Sequence, residues 1–237
     1  MSTTPLATRR ADRRLATVAE IKAAAWDELR DSGSDDCSLR AVARRLGMAP
    51  SALYRYFPSR EDLLTTLIID AFDDLTVTLA AAYQQARATS PADDPGDVFV
   101  RVAAAYRRWA VADPLRYRLI FGTPVGRYQG TDATTAASLR SSGVLLDIMV
   151  DLVAAGGLDT ERLKSEVSPD AERGFEQWGS MMPTPLPPEA LAVCMDCYAS
   201  LHGAIQLEVN GHLPPPLQGQ EGAFLDTMRR VIGSALR

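Results

Sequence analysis

Residues 38–57 constrain the fold of this chain more than any other segment, because they encode two short helices on either side of a glycine turn. Over 39–46, apolar residues recur at i, i+3, i+4 and i+7, the spacing of one apolar helix face. Gly47 follows, where a left-handed residue can end a helix without a Cβ clash, and Pro50 suits the first turn of a new helix. So short a connection is typical of a helix-turn-helix, whose second helix can enter the major groove of DNA.

The flanking sequence predicts the helices that would support this pair. Ser38 is a suitable N-cap for the first short helix. Upstream, a third apolar stripe begins at Ile21 and closes at Gly33. Downstream, Pro58 ends the second short helix, and residues 59–62 offer an N-cap followed by an acidic residue three positions on. We therefore predict a three-helix headpiece followed by a long helix over about 59–88.

With these elements in order, residues 17–64 resemble the TetR family of bacterial transcriptional regulators. The matching positions are Ile21, Ala24, Ala25, Gly33, Ser38, Leu39, Arg40, Val42, Ala43, Leu46, Gly47, Leu53, Tyr54, Tyr56, Phe57, Arg60, Glu61 and Leu63. The chain departs from the family at Ala49, where a Ser or Thr usually caps the recognition helix; replacing such a cap by Ala costs about 1 kcal/mol. Pro50 partly offsets that loss by fixing φ.

The resemblance implies a set of residues that contact double-stranded DNA. Arg55 is the expected base reader, since a guanidinium can bond O6 and N7 of guanine together. Ser51 and Tyr54 would contact phosphates or base edges, and Arg40, Tyr56 and Arg60 would hold the DNA backbone. The full set is Arg40, Pro50, Ser51, Tyr54, Arg55, Tyr56 and Arg60. The alternative for each arginine is a solvated face, and for each tyrosine partial burial in the headpiece.

The net charge of −5 is distributed in a way that is compatible with nucleic acid binding. Residues 1–65 hold 11 Lys and Arg against 9 Asp and Glu, a net charge of +2, and the rest of the chain carries −7. The acidity thus lies outside the headpiece. An acidic body would confine DNA to one face of the protein, although solubility alone would explain it equally well.

The rest of the chain predicts helices and no convincing strand, so we expect an all-α protein: an N-terminal three-helix headpiece and a larger helical ligand-binding and dimerisation domain. The expected domains are a flexible basic arm over 1–16, the helix-turn-helix domain over 17–64, and the C-terminal domain over 65–237. The arm could be a solvated tail or could contact DNA. The C-terminal domain has matching residues at 106–110, 113–117, 120–122, 201–203 and 207–208, through which it resembles the TetR branch named for a Trp-His-Gly triplet. In this chain Leu201 replaces the Trp before His202 and Gly203.

Aromatic residues in this region could line an apolar pocket for a small effector between helices. The candidates are Tyr106, Trp109, Phe121, Trp178 and His202. For any one of them, packing in an ordinary core is the alternative. A recognition helix of about two turns reaches few bases, so we also expect a homodimer on a palindromic operator. The two chains would meet through helices over 189–211 and 219–237. The expected function is that of a repressor released by an apolar or amphipathic effector.

Two other function classes stay open at this point. Cys194 and Cys197 form a C-x-x-C that could serve a redox-sensing or enzymatic protein, although they lie within a helical pattern and are expected to be buried. The headpiece could also bind protein instead of DNA. No catalytic constellation is in register, so we expect no enzyme, cofactor or metal. No apolar run is long enough to span a bilayer, and the expected location is the cytoplasm.

Overall fold

The computed structural model describes residues 5–32, 38–90, 94, 96–122 and 128–237 of the chain. Over these residues it contains no strand, only an isolated β-bridge between Leu158 and Leu236, so the all-α prediction is confirmed. The α-helices are α1 (Pro5–Ser32), α2 (Leu39–Arg45), α3 (Pro50–Leu53), α4 (Arg60–Thr89), α5 (Asp97–Ala112), α6 (Pro114–Phe121), α7 (Asp132–Ala154), α8 (Thr160–Glu166), α9 (Pro169–Ser180), α10 (Pro188–Val209) and α11 (Glu221–Gly233).

Two compact units divide the chain at positions different from those expected. The N-terminal unit comprises 1–72 together with 115–137, and the C-terminal unit comprises 73–114 and 138–237. The N-terminal unit therefore recruits α6, which the sequence predicts to lie in the second domain. Helix α4 contributes its first turns to one unit and its remaining turns to the other.

The core of the N-terminal unit is formed by apolar stripes from short and long helices together. The predicted stripe of α1 is buried, with Ile21, Ala25 and Leu29 fully covered. Leu53 of α3 and Leu63 of α4 join the same cluster. The cluster also contains Leu119 of α6, which explains why this helix belongs to the N-terminal unit.

Helix α1 differs most from the sequence-based expectation. It begins at Pro5 and runs for 28 residues, through the segment for which a flexible arm was expected. Proline is well suited to the first turn of a helix, since its missing N–H would lack an intrahelical partner there. The predicted closing residue Gly33, like Cys37, lies outside the described residues.

The turn between α2 and α3 has the predicted geometry. Ser38 Oγ accepts a hydrogen bond from the Ala41 N–H at 3.2 Å, so it is the N-cap of α2. Gly47 has φ of 63°, in the left-handed region, and the next N–H, that of Met48, donates to the Ala43 carbonyl at 2.9 Å. This backbone conformation is the one that glycine adopts at little cost.

In the C-terminal unit, α10 packs against α5, α8, α9 and α11. A buried ion pair joins α5 to α10: Arg107 Nε and Nη2 donate to the Glu208 carboxylate at 2.7 and 2.6 Å. Their side chains are only 7% and 11% exposed, and the guanidinium also lies 5.8 Å from the ring centroid of Phe224 on α11. The bidentate pair fixes the position of α5 relative to α10, and the contact with Phe224 adds α11.

We predict that Gly47→Ala lowers the free energy of unfolding by about 1 kcal/mol, because a Cβ disfavours the left-handed backbone. No neighbouring atom lies within 4 Å of the position that a Cβ would occupy, so a steric clash would not explain the loss. Gly47→Asn is the matched control and should cost less, since Asn tolerates this conformation better. Urea denaturation checks both, and an alanine variant as stable as the natural chain would contradict the assignment.

Candidate nucleic-acid interface and apolar cavity

Helix α3 is a single turn of four residues held to the headpiece from one side. Ala49, in extended conformation at its N-cap position, makes no side-chain hydrogen bond to it, as its lack of a hydroxyl implies. The Leu53 carbonyl accepts from the N–H groups of Tyr56 and Phe57 at 2.9 and 3.1 Å. Leu53 and Phe57 are buried, at 0% and 6% exposure. Pro50 and Ser51 of the same turn are exposed, and Ala52 is half-buried.

The structure places all seven expected DNA contacts on the surface of the N-terminal unit. Arg40, Pro50, Ser51, Tyr54 and Arg55 are exposed, and the Tyr54 side chain is 43% accessible. Tyr56 and Arg60 are half-buried.

Arg60 begins α4, where the predicted capping box forms. The Ser59 N–H donates to Asp62 Oδ2 at 3.0 Å, and the Asp62 N–H donates to Ser59 Oγ at 3.0 Å. These reciprocal bonds satisfy two of the donors at the helix start. They define the start of α4, and so the position of Arg60 in its first turn.

Arg45 has a structural role that the sequence did not reveal. Its guanidinium donates to Asp31 at 2.5 Å and to Glu28 at 3.3 Å, and so ties α2 to α1. The hydrogen bond to Asp31 is the main reason that the pKa of Arg45 is raised. A guanidinium already paired with two carboxylates is poorly placed to bind a phosphate, even though Arg45, like its neighbour Arg44, lies on the surface.

An apolar cavity of about 160 Å³, partly open to solvent, lies in the C-terminal unit between α7, α9 and α10. Two of its lining residues, Leu139 and Met195, are 67% and 42% exposed. Trp178, one of the expected pocket residues, lines it from α9. Leu139 and Leu145 line it from α7, and Cys194 and Tyr198 from α10.

Three other expected pocket residues, His202, Tyr106 and Trp109, contact one another in series, and Tyr198 connects this series to the cavity. The Tyr198 and His202 rings have centroids 4.2 Å apart, and His202 Nε2 lies 3.2 Å from Tyr106 Oη. The Tyr106 and Trp109 rings pack edge to face, with their centroids 6.3 Å apart. Trp109 Nε1–H in turn donates to Asp74 Oδ2 of α4 at 2.8 Å. The fifth candidate, Phe121, packs in the N-terminal unit against Phe72 and Tyr117.

Sequence reasoning missed Tyr198, although its spacing carried a signal. Tyr198 precedes His202 by four residues, so the two side chains must be neighbours on one helix face. The same spacing places Cys194 one turn before Tyr198, next to the cavity.

Both helical cysteines are buried free thiols. Burial raises the pKa of Cys194 to about 11, and burial together with the neighbouring Cys194 and Asp196 raises the pKa of Cys197 further. Redox-active cysteines instead have a lowered pKa and a partly exposed sulfur. Their environment is therefore that of core residues.

Comparison with known proteins agrees with this architecture. Residues 21–67 match the family described as bacterial regulatory proteins, tetR family. Residues 99–231, more than half of the chain, match the tetracyclin repressor-like, C-terminal domain. The chain belongs to the TetR family. It is a DNA-binding transcriptional regulator of that family, and the headpiece is its helix-turn-helix.

Relatives of this TetR family member match it over almost its whole length. It is 34% identical over 230 residues to the HTH-type transcriptional regulators Rv1816 of Mycobacterium tuberculosis and Mb1846 of Mycobacterium bovis, covering 96% of this chain and 95% of each relative. The crystal structure of SCO4313 has a TM-score of 0.74 at 31% identity, covering 94% of this chain and 98% of that one. A protein from Rhodococcus sp. RHA1, with 23% identity, a TM-score of 0.67 and coverages of 93% and 95%, shares the fold.

Within the part of the chain that the structure describes, no helix is long and apolar enough to cross a membrane. The same residues contain no group of three or more His, Cys, Asp or Glu arranged to hold a metal ion.

We predict that His202 makes the stability of this regulator depend on pH. Burial lowers its pKa from 6.5 to about 4, so the unfolded chain binds the proton more readily than the folded chain between these values. The free energy of unfolding should therefore fall as the pH drops from about 6.5 to about 4. His202→Gln should reduce this fall and His212→Gln should retain it, as measured by urea denaturation at pH 7 and pH 5. An unchanged pH dependence in His202→Gln would contradict the assignment.

Proposed function

We propose that the protein is a homodimeric repressor that binds a palindromic operator through α3 and leaves it when a small apolar effector enters the α7–α9–α10 cavity. The observation that carries the proposal is the orientation of α3. Its one buried anchor, Leu53, leaves Ser51, Tyr54 and Arg55 exposed together. A polar, basic turn presented in this way can reach base edges and phosphates in a major groove.

Two copies are needed because one turn of helix contacts few bases. We expect dimerisation through α10 and α11, which overlap the predicted ranges 189–211 and 219–237. An exposed stripe on α10 supports this expectation. Met195, Ala199, Gly203 and Leu207 recur every four residues along it, and the two large side chains are 42% and 46% exposed. Small residues between two apolar ones allow a second helix to approach closely, as in a four-helix interface.

The effector proposal rests on the size and lining of the cavity. Its volume of about 160 Å³ is large enough for a single ring, since an enclosed engineered cavity of roughly 150 Å³ binds benzene. A single aromatic ring or a short aliphatic molecule is therefore the class of effector proposed. Occupancy would act by shifting the population of conformations, because the ligand favours one that fits DNA poorly.

The contacts from Tyr198 to Asp74 offer a physical connection for this shift. A ligand against Tyr198 would disturb its ring contact with His202, and so the hydrogen bond between His202 Nε2 and Tyr106 Oη. Asp74, the last residue in this series of contacts, lies on α4. The same helix begins at Arg60, one of the expected DNA contacts.

We predict that Arg55→Ala abolishes the preference for operator over random DNA, because a bidentate contact to guanine contributes about 1 to 3 kcal/mol of discrimination. Arg40→Ala should instead weaken binding to both duplexes by a similar factor, since a phosphate carries no sequence information. Gel shifts with genomic fragments selected by the protein and with random duplexes measure both ratios.

Arg173→Ala, an exposed change on α9, is the control and should leave both affinities unchanged. Mixing the natural chain with a longer tagged chain should also give a complex of intermediate mobility, because two copies bind one operator. If Arg55→Ala weakened binding to the operator and to random DNA by the same factor, as Arg40→Ala should, the role of Arg55 in base reading would be refuted. Absence of the mixed complex would refute the binding of two copies to one operator.

We further predict that single-ring apolar compounds that release the operator also quench the fluorescence of Trp178. The quenching should vanish in Trp178→Phe and persist in Trp26→Phe, which removes an indole from the headpiece core. Ser142→Leu, which places a larger side chain at the cavity wall, should weaken both quenching and release. Release without quenching in the natural chain, or undiminished quenching in Trp178→Phe, would place the effector elsewhere.

A further inference from the structure

The first turns of α1 carry an exposed basic surface that the proposed operator contacts do not include. All side chains over 9–16 are exposed, and the buried stripe of the helix begins only at Ile21. Four of these eight residues are Arg9, Arg10, Arg13 and Arg14. The helix therefore continues well beyond the part that packs in the headpiece core.

The four arginines occupy one side of the helix. At about 100° per residue, they fall within an arc of roughly 140°, and Asp12 lies outside that arc. Arg9 and Arg13, and likewise Arg10 and Arg14, are four residues apart, a spacing at which like charges destabilise an isolated helix by a few tenths of a kcal/mol. Among the described residues, no carboxylate pairs with any of them, in contrast to Arg45. An arrangement that costs helix stability and lacks an internal counter-charge points to an external anion.

A contact with Tyr56 places this basic side next to the reading turn. The Arg14 guanidinium carbon lies 5.2 Å from the centroid of the Tyr56 ring, within cation–π range. Tyr56 lies in the turn that directly follows α3, and both partners belong to the N-terminal unit. The arginine face is therefore held at the edge of the surface that presents Arg55.

DNA fits this surface better than a lipid bilayer does. Helices that lie in a membrane interface combine basic residues with a broad apolar face. Over 9–16, Leu15 is the single large apolar residue, and the others are arginine, alanine and aspartate. DNA requires no apolar face, because its affinity for basic residues comes from the phosphates and the release of counterions.

We propose that the exposed turns of α1 bind the DNA backbone: Arg9, Arg10 and Arg13 contact phosphates flanking the bases that α3 reads. The contact between Arg14 and Tyr56 orients the helix for this binding. This inference rests on the proposed binding of an operator through α3. It adds a longer footprint and a steeper salt dependence, with no additional sequence preference.

The test compares the full-length triple variant Arg9→Gln, Arg10→Gln, Arg13→Gln with the natural chain and retains Arg14. The control variant Arg108→Gln, Lys164→Gln, Arg173→Gln removes the same charge from exposed positions of the C-terminal unit. Operator affinity is measured by fluorescence anisotropy over a salt series. Loss of six phosphate contacts per dimer should make the slope of log K against log[salt] shallower by about 5. The control should keep the natural slope.

A second measurement uses operators shortened by about five base pairs, or roughly 17 Å, at each end. Shortening should weaken binding of the natural chain and of the control variant, and should leave the triple variant unaffected. The ratio of operator to random affinity should be the same in all three proteins. Circular dichroism confirms that each variant is folded.

The outcomes separate this inference from the proposed function. A triple variant with the natural salt slope and the natural sensitivity to operator shortening would overturn the proposed phosphate contacts of α1. Operator binding by α3 would stand. A natural chain that binds no selected fragment at any salt concentration would instead overturn the proposed operator binding. A triple variant that loses preference for the operator would show that these arginines read sequence, contrary to the inference.

Discussion

A helix of four residues cannot persist by itself, so the reading surface of this protein depends on the burial of Leu53 and Phe57 in the headpiece core. Nucleation of a helix fixes several residues for one hydrogen bond, and isolated short helices are therefore unstable in water. Packing supplies what local hydrogen bonding lacks. The absence of a capping side chain at Ala49 increases this dependence. The left-handed backbone at Gly47 sets the direction of the turn from α2 to α3.

The C-terminal unit relies on a different kind of anchor. Arg107 and Glu208 are both nearly inaccessible to solvent, and each carries a charge that would be costly to bury without the other. Their bidentate pairing fixes the register of α5 against α10. The proposed effector cavity and the His202 contacts both include α10, so their geometry depends on the position of this helix.

The arginines of the N-terminal unit divide by environment into structural and available groups. Arg45 is paired with two carboxylates and joins α1 to α2, whereas the arginines over 9–14 have no internal counter-charge among the described residues. Net charge counts treat these residues alike. Their surroundings determine which of them can exchange water and counterions for phosphates.

The sequence alone determined the helix-turn-helix, its Gly47 turn, the Ser59–Asp62 capping box and the long helix that follows it, because these features depend on local periodicity and backbone preference. Only the tertiary structure decided that α6 joins the headpiece core, that Arg45 is a structural ion pair, and that Tyr198 and Trp178 line the same cavity. Such contacts join residues far apart in the chain. They arise from the packing of one helix on another, which periodicity within a single helix does not specify.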